Sequence, residues 1–310
     1  MVYNKLGLVD GNEWHEGHVR HIDDSFDTLY KNPLNDDYSL HISFDDTLAC
    51  ITNLANNTYA SLFDEPFFGW LKGLHDTYGA KFSLYIYDLT VLGRVPDTYK
   101  QEFFNARHWL KFGLHSGTSG KNYSSGTYDD ANADWNSLVS NIMRITGTHQ
   151  SLDRIPRLHN FAGSKDAVTG MRDATCGPIG FLGADDTRVS YHLTTEQNNI
   201  LKKQSTFVDH ETGLIIFRTN YRGEWLGAVD GMYEKMETML SDTAYVNCFR
   251  PFVWFTHEPY VYDKSAGLKD KAKNVEDVCK FAYDYNIPFA YPQNKIGVNP
   301  TWFVGNTASE

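Results

Sequence analysis

Short apolar runs alternate with longer amphipathic stretches along most of the chain. Eight runs rich in β-branched, aromatic and other apolar residues predict strands at residues 39–46, 81–88, 111–116, 155–163, 179–186, 214–221, 252–258 and 288–292. Other stretches carry apolar residues at helical spacing and predict helices at 64–78, 97–109, 130–146, 194–204, 224–240 and 268–285. The pattern therefore predicts strands and helices in regular alternation.

The spacing of the predicted strands indicates how they are connected. Each lies far enough from the next for a helix to carry the chain back, which is the connection that parallel strands need. We therefore expect an α/β fold in which seven or eight units close into a distorted (β/α) barrel, as a single domain over residues 36–300. Residues 1–35 are then an N-terminal extension packed on the barrel, and residues 301–310 a C-terminal tail.

Charge and cysteine content narrow the function classes. The formal net charge is −11, and the Lys and Arg residues are scattered, which argues against nucleic acid and anionic membranes as partners. The 4 cysteines are far apart, so neither a zinc knuckle nor a disulfide framework is indicated. The first residues resemble no secretory signal, and no apolar run is long enough to span a membrane, so we expect a cytoplasmic protein.

Titratable and polar residues terminate most of the predicted strands. They are Asp45, Asp46, Asp88, His115, His159, Asp185, Asp186, Arg218, Asn220, His257 and Glu258. Taken alone, each of them is more often a helix cap or a residue in contact with solvent than a functional residue. In a barrel, however, the carboxyl ends of all strands meet at one face, so these residues would share a pocket. The repetition favours a functional site.

The sharpest local signal is the adjacent acid pair in Ser43-Phe44-Asp45-Asp46. Two close carboxylates, or a carboxylate beside a metal, acquire different pKa values and so take different roles. One acid could bind a metal ion while the other acts as a base.

From residue 39 to residue 260, the chain resembles the polysaccharide deacetylase, or NodB-homology, superfamily of carbohydrate esterases in the order of its motifs. In that family a strand ending in TFDDG supplies a base and a metal ligand, which the resemblance assigns to Asp45 and Asp46 of SFDDT. A second motif contains two metal-binding His residues four positions apart. Here KFGLHSGTSG offers His115, but Ser119 stands at the second position.

The resemblance implies a divalent metal cofactor, zinc by preference, and leaves its third protein ligand to be found. The candidates are His159, His149 and one of the N-terminal residues His15, His18 and His21. We take Asp46, His115 and His159 as the predicted ligand set.

The remaining family motifs also have counterparts. Arg157, with Arg154 as a substitute, would orient the base, and the acidic pair Asp185 and Asp186 would hold that arginine. His257 would protonate the leaving group, and Glu258 would fix the tautomer of His257 or contact substrate. The resemblance thus implies a catalytic group of Asp45, Arg157, Asp186 and His257.

Glu258, Asp185, Arg218 and Asp88 are the predicted substrate-binding residues. Arg218 and Arg222 could bind the carboxylate of an acidic sugar, or they could form structural salt bridges.

These observations lead to three hypotheses about function. The first is a metal-assisted hydrolase that removes an acyl group from a saccharide. The second is a metal-independent glycoside-processing enzyme that uses Asp45 and Glu258 as its acid and base. The third, motivated by Ser119, is a non-catalytic carbohydrate-binding barrel. The sequence contains no phosphate-binding loop and no GxSxG motif, which argues against nucleotide-dependent and serine-hydrolase chemistry.

Overall fold

The structure is a computed structural model that describes residues 38–203, 206–227, 231–242 and 251–296. The described chain is one mixed α/β domain. Its strands are β1 Leu40–Thr47, β2 Phe82–Ile86, β3 Leu110–Leu114, β4 Gly180–Leu182, β5 Thr206–Asp209, β6 Leu214–Phe217, β7 Tyr221–Arg222, β8 Phe252–His257, β9 Tyr262–Asp263 and β10 Gly267–Leu268. The predicted N-terminal extension (up to residue 35) and C-terminal tail, with His15, His18 and His21, lie outside the described residues.

Helices connect most of these strands. They are α1 Ala49–Asn56, α2 Pro66–Tyr78, α3 Leu89–Leu92, α4 Lys100–Ala106, α5 Tyr128–Thr146, α6 Lys165–Arg172, α7 Thr195–Lys203, α8 Met232–Ser241, α9 Glu258–Val261 and α10 Ala272–Asp284. Each of the six predicted helical stretches contains a helix, whereas α1, α3, α6 and α9 were not predicted. In the part of the chain that the structure describes, no helix has the length and apolar character needed to cross a membrane.

The main sheet is parallel, as predicted. Five strands lie in the order β3-β2-β1-β8-β7, and every neighbouring pair runs in the same direction. A second sheet has the order β4-β6-β5, in which β4 is parallel and β5 antiparallel to β6. The β5–β6 hairpin was not predicted from the sequence.

Two of the predicted strands are not regular strands. The segment predicted at 155–163 contains a 3-10 turn, His159–Phe161, and residues 153–156 join the two sheets. Asp153 N donates to Phe112 O (2.8 Å) on β3, and Leu182 N of β4 donates to Pro156 O (2.9 Å). The segment predicted at 288–292 forms a single bridge, between Phe289 and Leu40.

The two faces of β1 differ in character although both are buried. Leu40, Ile42 and Phe44 belong to the hydrophobic core, and Phe44 packs edge-on against Phe67 of α2 (5.3 Å between ring centroids). The alternate positions are polar. His41 Nε2 lies 3.2 Å from Tyr85 Oη, and Tyr85 Oη donates to the buried carboxylate of Asp153 (3.2 Å). The inner face of the sheet therefore holds a connected polar network instead of an apolar filling.

A glycine makes room for this network. A Cβ at Gly113 on β3 would lie 2.8 Å from the ring of Tyr85 and 2.8 Å from Cβ of Pro156. Because real Cβ atoms do not approach so closely, any other residue at 113 would displace Tyr85 from its hydrogen bonds.

The buried His41 predicts a pH dependence of stability. Burial, followed by the positive charge of Arg157, lowers the pKa of His41 to about 3. The unfolded chain binds a proton here below about pH 6.5, and the folded chain does not, so stability falls as the pH drops from 6.5 towards 3. From pH 7 to pH 5 the loss is about 2 kcal/mol. Denaturant unfolding at the two pH values should show a smaller difference for His41→Gln, and an unchanged difference would contradict this assignment.

Candidate functional site

The acid pair ends β1 at an irregular point of the sheet. The β1–β2 register shifts between Phe44 and Thr47, and Asp46 has a left-handed backbone with φ 53°. A non-glycine residue in this region is strained, and such strain is concentrated at functional positions. The irregular backbone allows the two neighbouring carboxylates to contact different partners.

Asp45 faces the inside of the sheet, where it is paired with Arg157. The Nη1 atom of Arg157 donates to Asp45 Oδ1 (2.8 Å) and Ser43 Oγ (3.1 Å), and Nη2 donates to Thr219 Oγ1 (3.1 Å). The guanidinium is fully buried and stacks on the ring of Phe255, 3.8 Å from its centroid. Arg157 therefore fixes the Asp45 carboxylate, as the sequence led us to expect.

Asp46 faces the two histidines that were predicted to share a metal with it. Its Oδ1 atom lies 3.2 Å from His115 Nε2 and 3.7 Å from His159 Nδ1. The two imidazole nitrogens are 3.4 Å apart. Within the described residues, this trio is the group whose ligand atoms converge closely enough to hold a metal ion, all within 4.8 Å of one another. The predicted set of Asp46, His115 and His159 is thus brought together.

The protonation of His115 follows from its other contact. His115 Nδ1 lies 2.6 Å from the carbonyl oxygen of Arg157, and because a carbonyl only accepts, Nδ1 carries the proton. In the neutral imidazole, Nε2 then presents its lone pair towards Asp46, as a metal ligand must. A ring N–H held by a backbone carbonyl is the usual way in which a metal-binding histidine is oriented.

The electrostatics of the trio fit a bound cation. Burial raises the pKa of Asp46, but the neighbouring His115 and His159 lower it by a larger amount. The net pKa is below its usual value, so the carboxyl is ionised at neutral pH. Asp46 Oδ1 is buried and has no hydrogen-bond partner among the described residues. If the imidazole is neutral, its Nε2 lone pair and the carboxylate oxygen 3.2 Å away would repel each other unless a cation lay between them. One oxygen and two imidazole nitrogens are ligands suited to a divalent transition metal.

The ring of Tyr87 packs against both imidazoles. Its ring centroid lies 5.2 Å from that of His159, edge to face, and 6.0 Å from that of His115. Tyr87 directly follows β2, whereas the acids lie near the end of β1. We did not single out Tyr87 from the sequence because an aromatic residue at a strand end is usually part of the core.

His257 ends β8 beside Asp45, its residue partner in the β1–β8 ladder. Its Nδ1 atom lies 2.6 Å from Glu224 Oε1, and because a carboxylate accepts, Nδ1 donates. Burial lowers the pKa of His257, but Glu224, Asp45 and Asp46 raise it above its usual value. His257 is therefore held with Nδ1 protonated and its ring orientation fixed.

The carboxylate that orients His257 is Glu224, where the sequence led us to expect Glu258. Glu224 lies in a 3-10 turn, Gly223–Trp225, directly after β7. The sequence signal for Glu224 was an acid shortly after the strand predicted at 214–221. We assigned Glu224 to the start of the helix predicted at 224–240 instead.

The acidic pair of the fourth motif has other partners than expected. Asp185 receives two hydrogen bonds from Arg222, from Nε (2.9 Å) and Nη2 (2.7 Å). Asp186 receives them from Arg188, again through both carboxylate oxygens. The expectation that Asp185 and Asp186 hold Arg157 is therefore wrong. For Arg222 the structural salt bridge is observed.

Two predicted substrate-binding residues, Asp88 and Arg218, do not line the pocket that holds Asp45 and Asp46. Asp88 caps α3 by accepting from Thr90 N (2.9 Å), and it also accepts from Ser119 Oγ (2.9 Å). Ser119, at the position of the missing family histidine, is thus engaged with Asp88. Arg218 is half-buried beyond β6, and the arginines lining the pocket are instead Arg157, Arg188 and Arg222.

Glu258, predicted to contact substrate or His257, is a fully buried structural residue. Its carboxylate accepts the backbone N–H groups of Leu48 (2.7 Å), Ala49 (2.7 Å) and Cys50 (2.8 Å). These are the unpaired donors at the start of α1, so Glu258 fastens the loop after Asp46 to β8.

This contact predicts a loss of stability for Glu258→Ala. The buried N–H of Cys50 and the part-buried N–H groups of Leu48 and Ala49 would lose their acceptor, so the free energy of unfolding should fall by about 3 kcal/mol. Glu211→Ala, at an exposed acid, is the matched control. Denaturant unfolding measures both. A fully stable Glu258→Ala protein would instead indicate that the carboxylate is reserved for ligand.

One pocket brings together six of the predicted residues and Glu224. It measures about 300 Å³ and is lined by Asp45, Asp46, His115, Arg157, Leu158, His159, Asn160, Phe161, Arg188, Arg222, Glu224, His257 and Tyr260. We name it the site pocket. At its edge Tyr260 is 51% exposed, and Trp225, which covers Arg222, is 56% exposed.

Comparisons of the chain with protein-family models, with curated proteins and with solved structures gave no match. The chemistry of the site pocket has to be argued from its own residues.

Proposed function

We propose that this protein is a metal-dependent hydrolase that removes an acyl group, such as acetyl, from a saccharide. The observation that carries the proposal is the shared pocket. A base candidate held by an arginine, a two-histidine and one-carboxylate metal-ligand set, and a histidine held by a carboxylate all line the same 300 Å³ space. These are the parts that the resemblance to carbohydrate esterases leads one to look for, including a replacement for the absent histidine.

We further propose that the strands form a distorted (β/α) barrel. Hydrogen bonds support a closed ring: the segment around Asp153 joins β3 to β4, β4 pairs with β6, and the chain continues from β6 into β7, which pairs with β8. In a barrel the ends of β1, β3 and β8 converge on one face, and this accounts for a pocket built from residues so far apart in sequence.

Zinc is the metal that we propose for Asp46, His115 and His159, because three protein ligands with one open position are typical of catalytic zinc sites. When bound, such an ion supplies Lewis-acid chemistry, polarising the acyl carbonyl and favouring ionisation of water.

The protein groups provide the proton transfers. Asp45, fixed by Arg157, accepts a proton from the water that attacks the acyl carbon. The bond from that carbon to the sugar nitrogen or oxygen breaks, and His257 gives its proton to the leaving atom, so the products are a carboxylic acid and a free amine or hydroxyl. Glu224 keeps the other ring nitrogen of His257 protonated and the ring in place.

The rim of the site pocket suits a sugar. Exposed aromatic rings such as Tyr260 and Trp225 can pack against the apolar face of a pyranose and hydrogen-bond at their polar edge. The metal-independent glycosidase has less support, because Glu258, its second carboxylate, is fully buried and bound to three backbone N–H groups. The non-catalytic alternative was motivated by Ser119, which stands where the family has a metal-binding histidine. His159 can supply that ligand instead.

The decisive experiment measures acetate release and metal content together. Protein loaded with zinc should release acetate from O-acetylated xylo-oligosaccharides or N-acetylated chitin oligosaccharides, lose the activity after treatment with a strong chelator, and regain it on addition of zinc. Cleavage of glycosidic bonds that survives the chelator would favour the glycosidase. Saccharide binding by zinc-loaded protein without acetate release would contradict the proposal.

A further inference from the structure

A second cavity meets the site pocket at Asp46. It measures about 340 Å³, and its lining consists of Asp46, Leu48, Ala49, Thr52, Tyr87, Glu258, Pro259, Tyr262, Asp263, Lys264 and Lys269. We name it the α1 cavity, because Ala49 and Thr52 belong to α1. Asp46 lines both spaces, so a ligand bound at this carboxylate lies next to both.

The polar groups inside the α1 cavity are already engaged with other described residues. The carboxylate of Glu258 accepts three backbone N–H groups at the start of α1. Tyr262 Oη donates to Glu65 Oε1 (2.6 Å) and accepts from Asn53 Nδ2 (2.8 Å), and Thr52 Oγ1 donates to the carbonyl oxygen four residues earlier (2.7 Å). Leucine, alanine and proline side chains add carbon surface to the lining. A sugar bound here would lose water from its hydroxyls without gaining partners, whereas an apolar chain would bind favourably.

The rim of the α1 cavity is polar. Lys264 and Lys269 are exposed and Asp263 is half-buried, and all three lie in or next to the β9–β10 hairpin. Lys269 Nζ donates to Pro259 O (2.7 Å). The α1 cavity therefore combines a carboxylate shared with the site pocket, carbon surface inside and a polar rim.

The chemistry at Asp46 decides which part of a substrate points into the α1 cavity. In the proposed reaction, the carbonyl group of the acyl substituent has to lie beside Asp46, His115 and His159. Tyr87, whose ring packs against both imidazoles, also lines the α1 cavity. The carbonyl carbon bears two groups, the sugar and the alkyl chain. The site pocket, with three arginines in its lining, offers hydrogen-bond donors to the sugar, and the apolar space is left for the chain.

We propose that the α1 cavity binds the alkyl chain of the acyl group, and that the protein prefers straight-chain acyl groups longer than acetyl, such as butanoyl and hexanoyl. The methyl group of an acetyl would leave most of the 340 Å³ without ligand. Each further methylene that is buried should raise the affinity by about fourfold. The inference rests on the proposed function and extends it, because it names the acyl group that is removed.

Binding of the product acids tests this inference separately from turnover. Acetate, butanoate and hexanoate are added to isotope-labelled, zinc-loaded protein, and NMR titration gives the dissociation constants. We expect affinity to rise by about tenfold or more from acetate to hexanoate, since only part of the added chain has to be buried for this gain. Ala49→Leu adds carbon atoms to the cavity lining, so it should remove the gain and leave acetate binding unchanged. Thr52→Leu, on the next turn of α1, is a second variant with the same expected result.

Asn56→Leu is the matched control, because it introduces the same side chain at the exposed end of the same helix. It should keep the full dependence on chain length. Acetate that binds as tightly as hexanoate, an equal loss for every acid in Ala49→Leu, or no binding of any acid would overturn the inference.

Turnover separates this inference from the proposed function. The zinc-loaded enzyme should show a kcat/KM about tenfold or more higher for glucose monoesters of hexanoic acid than for those of acetic acid, and Ala49→Leu should abolish the difference. Release of acetate without release of the longer acids would overturn the inference and leave the proposed hydrolysis in place. Chain-length-dependent binding that Ala49→Leu removes, with no acid released from any ester, would overturn the hydrolysis and leave the cavity assignment in place.

Discussion

Replacing Asp45 by Asn is expected to reduce kcat/KM for acyl release by about a thousandfold, within the range that general-base catalysis supplies. The amide keeps an oxygen that can accept from Arg157 Nη1 but no longer takes a proton from water. Zinc content should stay at the wild-type level, because Asp45 is not in the ligand set. Initial rates of acetate release, together with metal analysis of the same samples, measure both effects.

Stability has to be followed in the same experiment. Asp45 is the charged partner of the fully buried Arg157, and the loss of one member of a buried pair typically costs about 3 to 5 kcal/mol, less where hydrogen bonds remain. Thermal unfolding shows whether the variant is folded at the assay temperature. Asp129→Asn, at an exposed acid of α5, is the control that should keep full activity. A folded, zinc-loaded Asp45→Asn enzyme with more than a tenth of the wild-type rate would remove Asp45 as the base.

Replacing His159 by Ala is expected to weaken zinc binding by more than about a hundredfold, since even partners that only orient a ligand are worth 10 to 100-fold. The experiment distinguishes two positions for the third metal ligand, residue 159 and residue 119. If the histidine has moved from the family position to 159, then Ser119→Ala should leave zinc affinity unchanged, because Ser119 Oγ contacts Asp88. Competition with a chromophoric chelator measures both dissociation constants. Equal affinity in His159→Ala and the wild type would show that the ion is held elsewhere.

The sequence predicted those parts of the fold that depend on local periodicity. The apolar runs of β1, β2, β3 and β8 and the amphipathic stretch of α5 are visible in the residues themselves, and the structure contains them. The conformation of residues 152–156, which pair with β3 and β4, could not be predicted, because this pairing depends on residues far away in the chain. The β5–β6 hairpin, with few residues on each side, gave no clear alternation.

The site was predictable where a residue follows a strong strand. Asp45, Asp46, His115 and His257 all do. Contacts between side chains were not predictable, because they depend on rotamers and on the exact approach of loops: Glu224, not Glu258, reaches His257, and Asp185 binds Arg222 instead of Arg157. His159 could be named only as one candidate among several, since sequence spacing says nothing about which loop folds towards Asp46 and His115.

The origin of the three ligands has a thermodynamic consequence. In a motif with two histidines four residues apart, much of the chelate is already local, and an unfolded chain can retain part of its affinity. Here Asp46, His115 and His159 come from three separate segments, and the segment bearing His159 is joined to β3 through the bond from His159 N to His115 O (2.8 Å). An ion at this point is a cross-link that the denatured chain cannot form, so its whole affinity counts towards holding these segments together.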